Sequence, residues 1–179
     1  MGAWSKDSKT HVAHMDDGDF YGSEQSTTLT AQDQFKIILN ANGQQTVLKE
    51  SVPVLAGEVV DAARMSKNKL QAFFERATAA AKAEGVLLSL HLKATMMKVS
   101  DPIVFGHAVR VYYKDVFAKH ADTFNKLNVN PANGVGDVYA KIESLPADQK
   151  AEIEADLNAV YESQPTLAMV NSDKGITNL

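Results

Sequence analysis

Two hydropathy rhythms run through the chain, and their order predicts its elements. Leu88, Leu90 and Leu92 alternate with Ser89, His91 and Lys93, the period-two pattern of a half-buried strand. Such a strand carries Ser89, His91 and Lys93 on one face and the leucines on the other. Phe35-Lys36-Ile37-Ile38-Leu39 and Thr46-Val47-Leu48 also read as strands, and Asn42-Gly43 lies between them. That dipeptide suits a two-residue turn, so an antiparallel hairpin is expected over residues 34–50. Thr27-Thr28-Leu29-Thr30 and Glu58-Val59-Val60-Asp61 read as further short strands, with Pro53 blunting the chain between them.

The helical rhythm is clearest after Ser66. Leu70, Phe73, Phe74, Ala77, Ala80 and Ala81 recur at helical spacing, with Ser66 as the expected cap and Gly85 as the stop of a helix over residues 67–84. Asp101-Pro102 predicts a second start, with a capping carboxylate and then a proline in the first turn. This helix is expected to run to about His120, with Val104, Ala108 and Val111, and Phe105, Val109, Tyr112 and Val116, facing inward. Residues 130–136 read as a turn, 136–145 and 146–162 as helices, and 167–170 as a last strand behind Pro165. Ile153, Leu157 and Val160 form the inner stripe of the last helix. Residues 1–23 show no sustained period and are expected to be irregular. The fold class is therefore α/β (α+β): a mixed sheet of four to six strands that includes the hairpin, with helices packed on it. Residues 1–179 are read as one domain.

Composition narrows the function without naming it. The chain has 18 basic and 22 acidic residues, a formal charge of −4, and lacks the basic surplus that nucleic acid or an anionic membrane surface attracts. No nucleic-acid or membrane partner is expected. No apolar run is long enough to span a bilayer, and Lys6, Asp7, Lys9 and Asp16 stand where a signal peptide would need an apolar stretch. Cysteine is absent, which removes disulfides and thiolate metal sites. A cytoplasmic location is the simplest expectation.

Self-contained chemistry is sparse. His11 and His14 have a metal-like spacing, but no helix and no third ligand accompany them. Asp16, Asp17 and Asp19 surround Gly18 without the glutamate that closes an EF-hand loop. Gly134 and Gly136 lack the third glycine and the preceding strand of a dinucleotide loop. His107 lies near an inner helical stripe, where a satisfied core histidine is commoner than a ligand. No serine elbow, Walker loop or HExxH motif occurs. What remains is Lys93, leaving a strand just before a helix: well placed for a cleft, although a lysine there is more often a solvated surface residue.

The same residues carry a family resemblance. LHLKATMMKVSDPIVFGH (residues 90–107) resembles a segment of the bacterial monomeric-type NADP-dependent isocitrate dehydrogenases. SKDSKTHVAHMDDGDFYGSEQS (5–26), EVVDAARMSKNKLQAFF (58–74) and MVNSDKGITNL (169–179) extend the likeness along the chain, in order. Members of that family are several times longer, so the resemblance implies an internal piece of their large domain.

The resemblance implies oxidation of isocitrate by NADP, through oxalosuccinate, to 2-oxoglutarate and carbon dioxide. Mg²⁺ or Mn²⁺ is implied on the substrate's hydroxyl and carboxylate. It places the catalytic, substrate-contacting lysine at Lys93 rather than Lys98, because the more distant dimeric enzymes space two lysines in the same way. A lysine suits such a role, since it exchanges a proton near the C2 oxygen and its charge stabilises the developing anion. Lys98 is expected to support the cleft, and His91 shares a face with Lys93. None of Asp7, Asp16, Asp17, Asp19 or Asp33 matches a metal-ligand motif of the family, so no metal ligand and no cofactor-binding residue is assigned in this chain. Isocitrate and the remaining segments of the enzyme are the implied partners. The piece alone is expected to be inactive, to hold neither NADP nor metal, and to be open to self-association. The alternative is a free-standing, non-catalytic binding or structural domain of the same ancestry.

Overall fold

The structure, a computed structural model, describes residues 3–167. Its contacts divide the chain into two compact units, one over residues 16–66 and the other joining the first fifteen residues to everything from Lys67 onward.

In the smaller unit, Asp19 caps a one-turn helix, α1 (Phe20–Ser23), by accepting the Gly22 N–H at 3.0 Å. That turn lies inside the stretch expected to be irregular; the local Asp19 cap, not an apolar period, forms it. Strand β1 (Gln25–Thr28) pairs antiparallel with β4 (Val59–Ala62), and β2 (Asp33–Ala41) pairs antiparallel with β3 (Gln44–Val54). Asn42 and Gly43 close the β2–β3 hairpin with φ of 52° and 74°. Two consecutive positive φ values match the right-handed twist of the strands, and only Asn, Asp or Gly adopts them cheaply. The Ser23 hydroxyl accepts the Arg64 N–H at 2.8 Å and donates to the Arg64 carbonyl at 2.7 Å, tying α1 to the segment after β4. Val54 is the buried apolar residue of this unit.

The expected mixture of helices with a β-hairpin is present. Its strands, however, form two separate antiparallel pairs among the described residues, not one sheet of four to six strands. The missing member is the 87–93 strand. Leu88 forms a single parallel bridge to Leu167, and no ladder extends from it. Alternation survives only in part as burial: Leu88 and Leu92 are half-buried and Ser89, His91 and Lys93 exposed, but Leu90 is exposed too, at 38%. Period two thus reports a half-buried extended segment; a strand also needs a neighbour. Of the last expected strand, Leu167 makes this bridge and residues 168–170 lie outside the described residues.

The larger unit is helical. Helix α2 (Lys67–Glu84) buries Leu70, Phe74, Thr78 and Ala81 along one stripe. Gly85 ends it at φ 68°, with its N–H on the Lys82 carbonyl and the Val86 N–H on the Ala81 carbonyl. These are the two bonds of a Schellman cap, which needs the left-handed conformation that glycine adopts freely. The helix expected over 101–120 is present as two segments, α3 (Ser100–Tyr112) and α4 (Lys114–Lys119), and α5 (Ala121–Lys126) follows past the expected end. Tyr113 and His120 break it, each with φ −104° and ψ near 25°. Asp101 is not the cap. The preceding turn supplies a carbonyl for its N–H, from Met97 at 3.1 Å, so the helix begins one residue earlier without a side-chain cap.

A 3₁₀ turn (Pro131–Asn133), α6 (Gly136–Ile142) and α7 (Ala147–Ser163) complete the unit. Its core gathers Val109, Tyr112, Tyr113, Val116, Phe124, Val135, Val138, Ile142, Ile153, Leu157 and Val160. Val138, Ile142 and Leu157 have no exposed surface at all. Each such aliphatic side chain contributes about 1.5–3 kcal/mol by leaving water.

Candidate functional site

Lys93 sits between two fixed points. Upstream, the Leu88 N–H donates to the Thr166 carbonyl at 2.8 Å. Downstream, the carbonyl of Lys93 accepts the N–H groups of Met96 and Met97 at 2.9 and 3.3 Å, and that turn runs straight into α3. The Lys93 side chain projects to solvent, and its ammonium makes no hydrogen bond or ion pair among the described residues. Lys98 and His91 are likewise exposed and unpartnered there. His91 therefore shares a side with Lys93 but is not bonded to it.

The residues flanking Lys93 point the other way. Leu90, Leu92 and Ala94 join Asp101, Pro102, Phe105 and Ala132 around an apolar depression of about 220 Å³. Next to it, α3 and the 3₁₀ turn make a close approach that the pattern did not reveal. Gly106 of α3 lies against the 3₁₀ turn, where a Cβ would come within 2.9 Å of the Ala132 nitrogen. Only glycine lets the two backbones meet this closely. Met96, Met97 and Val99 are exposed at 70%, 56% and 76%, an unusual amount of apolar surface for one short turn.

His107 is half-buried, and its Nδ1 lies 3.3 Å from the Gln71 side-chain nitrogen. Burial, then the positive charges of Lys67 and Arg110, lower its pKa, so it is neutral near pH 7 and accepts from Gln71. That is a satisfied boundary histidine. His11 bonds the Lys9 carbonyl and lies 3.9 Å from Glu84, whereas His14 contacts the Met15 carbonyl. The two share no ligand geometry. Asp19 is engaged as a helix cap.

One cluster escaped the sequence. His120, Glu152 and Asp156 bring three potential ligand atoms within 4.8 Å of one another. His120 Nε2 lies 2.6 Å from Asp156 Oδ2, and the Lys119 ammonium reaches Glu152 at 2.9 Å and Asp156 at 2.8 Å. The Lys119 hydrogen bond, then that of His120, holds the Asp156 carboxyl below its usual range. Lys119 thus fills the cationic position between the two carboxylates, and the group reads as an ion-pair network joining α4 to α7. Glu152 and Asp156 stand four apart, but a partner thirty-six residues earlier leaves no local trace.

Neither a hard divalent cation nor a dinucleotide fits the groups near Lys93. Asp101 is the single carboxylate on a rim otherwise apolar, and a Mg²⁺ or Mn²⁺ site takes several oxygens. Helix α3 begins there, but its first turn brings the Asp101 carboxylate and Pro102, which has no N–H, where a phosphate would need free donors.

The family model described as monomeric isocitrate dehydrogenase matches residues 1–179. The chain is 64% identical to "Isocitrate dehydrogenase [NADP] 2" of Colwellia maris over 100% of its length, which is 24% of that protein. It is 57% identical to "Isocitrate dehydrogenase [NADP]" of Azotobacter vinelandii, again over 100% of the chain and 24% of the relative. Against "Isocitrate dehydrogenase [NADP] 2" of Mycobacterium tuberculosis the identity is 53%, over 99% of the chain and 24% of the relative. The chain spans about a quarter of the length of these curated relatives.

Proposed function

The chain belongs to the monomeric isocitrate dehydrogenase family, and on that premise we propose that it is one part of an NADP-dependent enzyme that oxidatively decarboxylates isocitrate to 2-oxoglutarate. The observation that carries this reading is the unbroken match of all 179 residues to relatives of that name. Isocitrate is then the substrate, NADP the hydride acceptor, and the remaining segments of the same polypeptide supply what this quarter lacks. Mg²⁺ or Mn²⁺ would polarise the substrate's hydroxyl and carboxylate when bound. Since the groups around Lys93 do not fit either cofactor, both would be held by those other segments. No helix among the described residues is long and apolar enough to cross a membrane, and a cytoplasmic location is part of the reading proposed here.

Within this chain the role falls to Lys93. Its ammonium would exchange a proton with the C2 oxygen, directly or through a neighbour, and would stabilise negative charge as it develops. A free, projecting ammonium is what such a role requires before the other walls of a site close around it. Lys98 and His91 would shape the surrounding charge.

The 179 residues alone should not turn over isocitrate, because orientation and polarisation are supplied elsewhere. An assay of NADPH formation by the purified chain checks this; detectable isocitrate-dependent turnover would refute it. In the parent enzyme, Lys93→Met should abolish most turnover without unfolding the protein. Near-normal turnover would remove Lys93 from the catalytic role.

A further inference from the structure

We infer that Tyr112 and Lys82 are positioning residues for Lys93, acting through residues 162–167; the inference rests on the catalytic reading of Lys93 given above. Three donors converge on that short segment. Tyr112, buried in α3, donates its hydroxyl proton to the Pro165 carbonyl at 2.8 Å. Lys82, in the last turn of α2, donates to the carbonyls of Glu162 and Gln164 at 3.0 and 3.1 Å. The Leu88 N–H completes the set at the Thr166 carbonyl. Helices α2 and α3 thus hold the exit of α7, and that exit holds Leu88.

From Leu88 the chain has no ladder to guide it until the turn closed by the Lys93 carbonyl. On its upstream side the placement of Lys93 therefore depends on a bridge one residue wide, and that bridge depends on where residues 165–167 lie. Tyr112 is the strongest of the supports. Burial, then the neighbouring Tyr161, raises its pKa, so the phenol keeps its proton to donate. Pro165 is itself buried, and its carbonyl without Tyr112 would be a polar atom left facing apolar neighbours. Proline also brings no N–H of its own to anchor the segment elsewhere. Lys82 acts from the solvent side, on carbonyls at the end of α7, where a helix leaves acceptors unpaired.

A group that acts in the transition state is sensitive to displacement by about an ångström, whereas ground-state binding spread over other contacts is not. Loss of either support should therefore lower kcat more than it changes KM. The test uses the full-length parent enzyme, assayed well below its unfolding temperature, in four variants: Tyr112→Phe, Lys82→Met, Lys82→Arg and Lys93→Met. Tyr112→Phe and Lys82→Met should each lower kcat about tenfold or more with KM within about twofold of wild type. Lys82→Arg, which keeps a charged donor on a long stem, should return kcat to within about twofold of wild type. Should Tyr112→Phe fail to fold, the Lys82 pair decides the matter. Unchanged kcat in Tyr112→Phe or Lys82→Met, even with a lowered melting temperature, would reduce that residue to a structural role and leave the Lys93 reading standing. Undiminished turnover in Lys93→Met would instead bring down that reading and this inference together.

Discussion

The helical core and the Leu87–Val99 stretch lie in the same unit, yet they are built on opposite terms. In the core, Val138, Ile142 and Leu157 have lost all contact with water, and Tyr113 bonds Tyr161 at 2.9 Å within an apolar setting. Along the stretch, Leu87, Met96, Met97 and Val99 all remain more than half exposed, and one bridge and one turn fix the backbone. The core supplies stability by burying apolar side chains. The stretch contributes little to folding and presents a free ammonium and open apolar surface instead. Where stability and chemistry are carried by different residues, a substitution can remove one and spare the other.

The sharpest break in that contrast is Lys93→Met. With the proton-transfer role proposed for Lys93, its removal should lower turnover by about 10²–10⁴-fold. Because the side chain is exposed and unpartnered, the melting temperature of the 179-residue chain should stay within about 1 °C of wild type. A large loss of stability would mean that the stretch holds the fold after all. Circular dichroism melts beside steady-state assays of the parent measure both sides.

Leu157→Ala reverses the pattern. Its side chain is fully buried between the elements of the core, and truncation costs about 2–5 kcal/mol, from lost burial and from the cavity left behind. Denaturant titration of the chain should show that loss. If the variant instead melted like wild type, the core would not be the stabilising centre.

How far these regions could be read from sequence follows the same division. Helices α2 and α7 were legible because Leu70, Phe74, Ile153, Leu157 and Val160 repeat at a spacing that only a helix turns to one side. The Asn42-Gly43 hairpin was legible because its φ angles are a local demand. Leu88 was misread as part of a strand because pairing is a property of two segments, and its partner stands near residue 167. Asp101 was misread as a cap because the chain before it already curls into the helix. The role proposed for Lys93 has no physical signature in the sequence: a free lysine beside a helix is common, and the proposal rests on the family likeness. The Tyr112–Pro165 bond and the Gly106 approach were invisible for the same reason as the bridge, since both join residues far apart in sequence.

Gly106→Ala tests the border between the two regions, where α3 supports the depression beside Lys93. Alanine should favour a helix by about 1 kcal/mol over glycine. Here its Cβ would stand 2.9 Å from the Ala132 nitrogen and 3.1 Å from its Cα, both backbone atoms that cannot swing aside. Overpacking of this kind costs about 1–3 kcal/mol, so the clash wins and the chain should be destabilised. A stabilised variant, read by the same denaturant titration, would show that the 3₁₀ turn yields to the added methyl.

The smallest expected effect belongs to Asp156, on the solvent side of the core. Its carboxyl is held low by the Lys119 hydrogen bond and then by His120, so the unfolded chain takes up a proton before the folded one does. The stabilisation is therefore complete above the ordinary carboxylate range, near about pH 4, and fades as pH falls through the lower folded value. Asp156→Asn should lower stability at pH 7 by under about 1 kcal/mol, since solvent screens a pair that Lys119 enters from the surface. The difference should vanish once the pH lies below the lowered folded value. Melts of both proteins across pH 2–8 would show two curves converging in acid. Parallel curves would mean that the network joining α4 to α7 holds by packing, and that charge adds nothing to the core it borders.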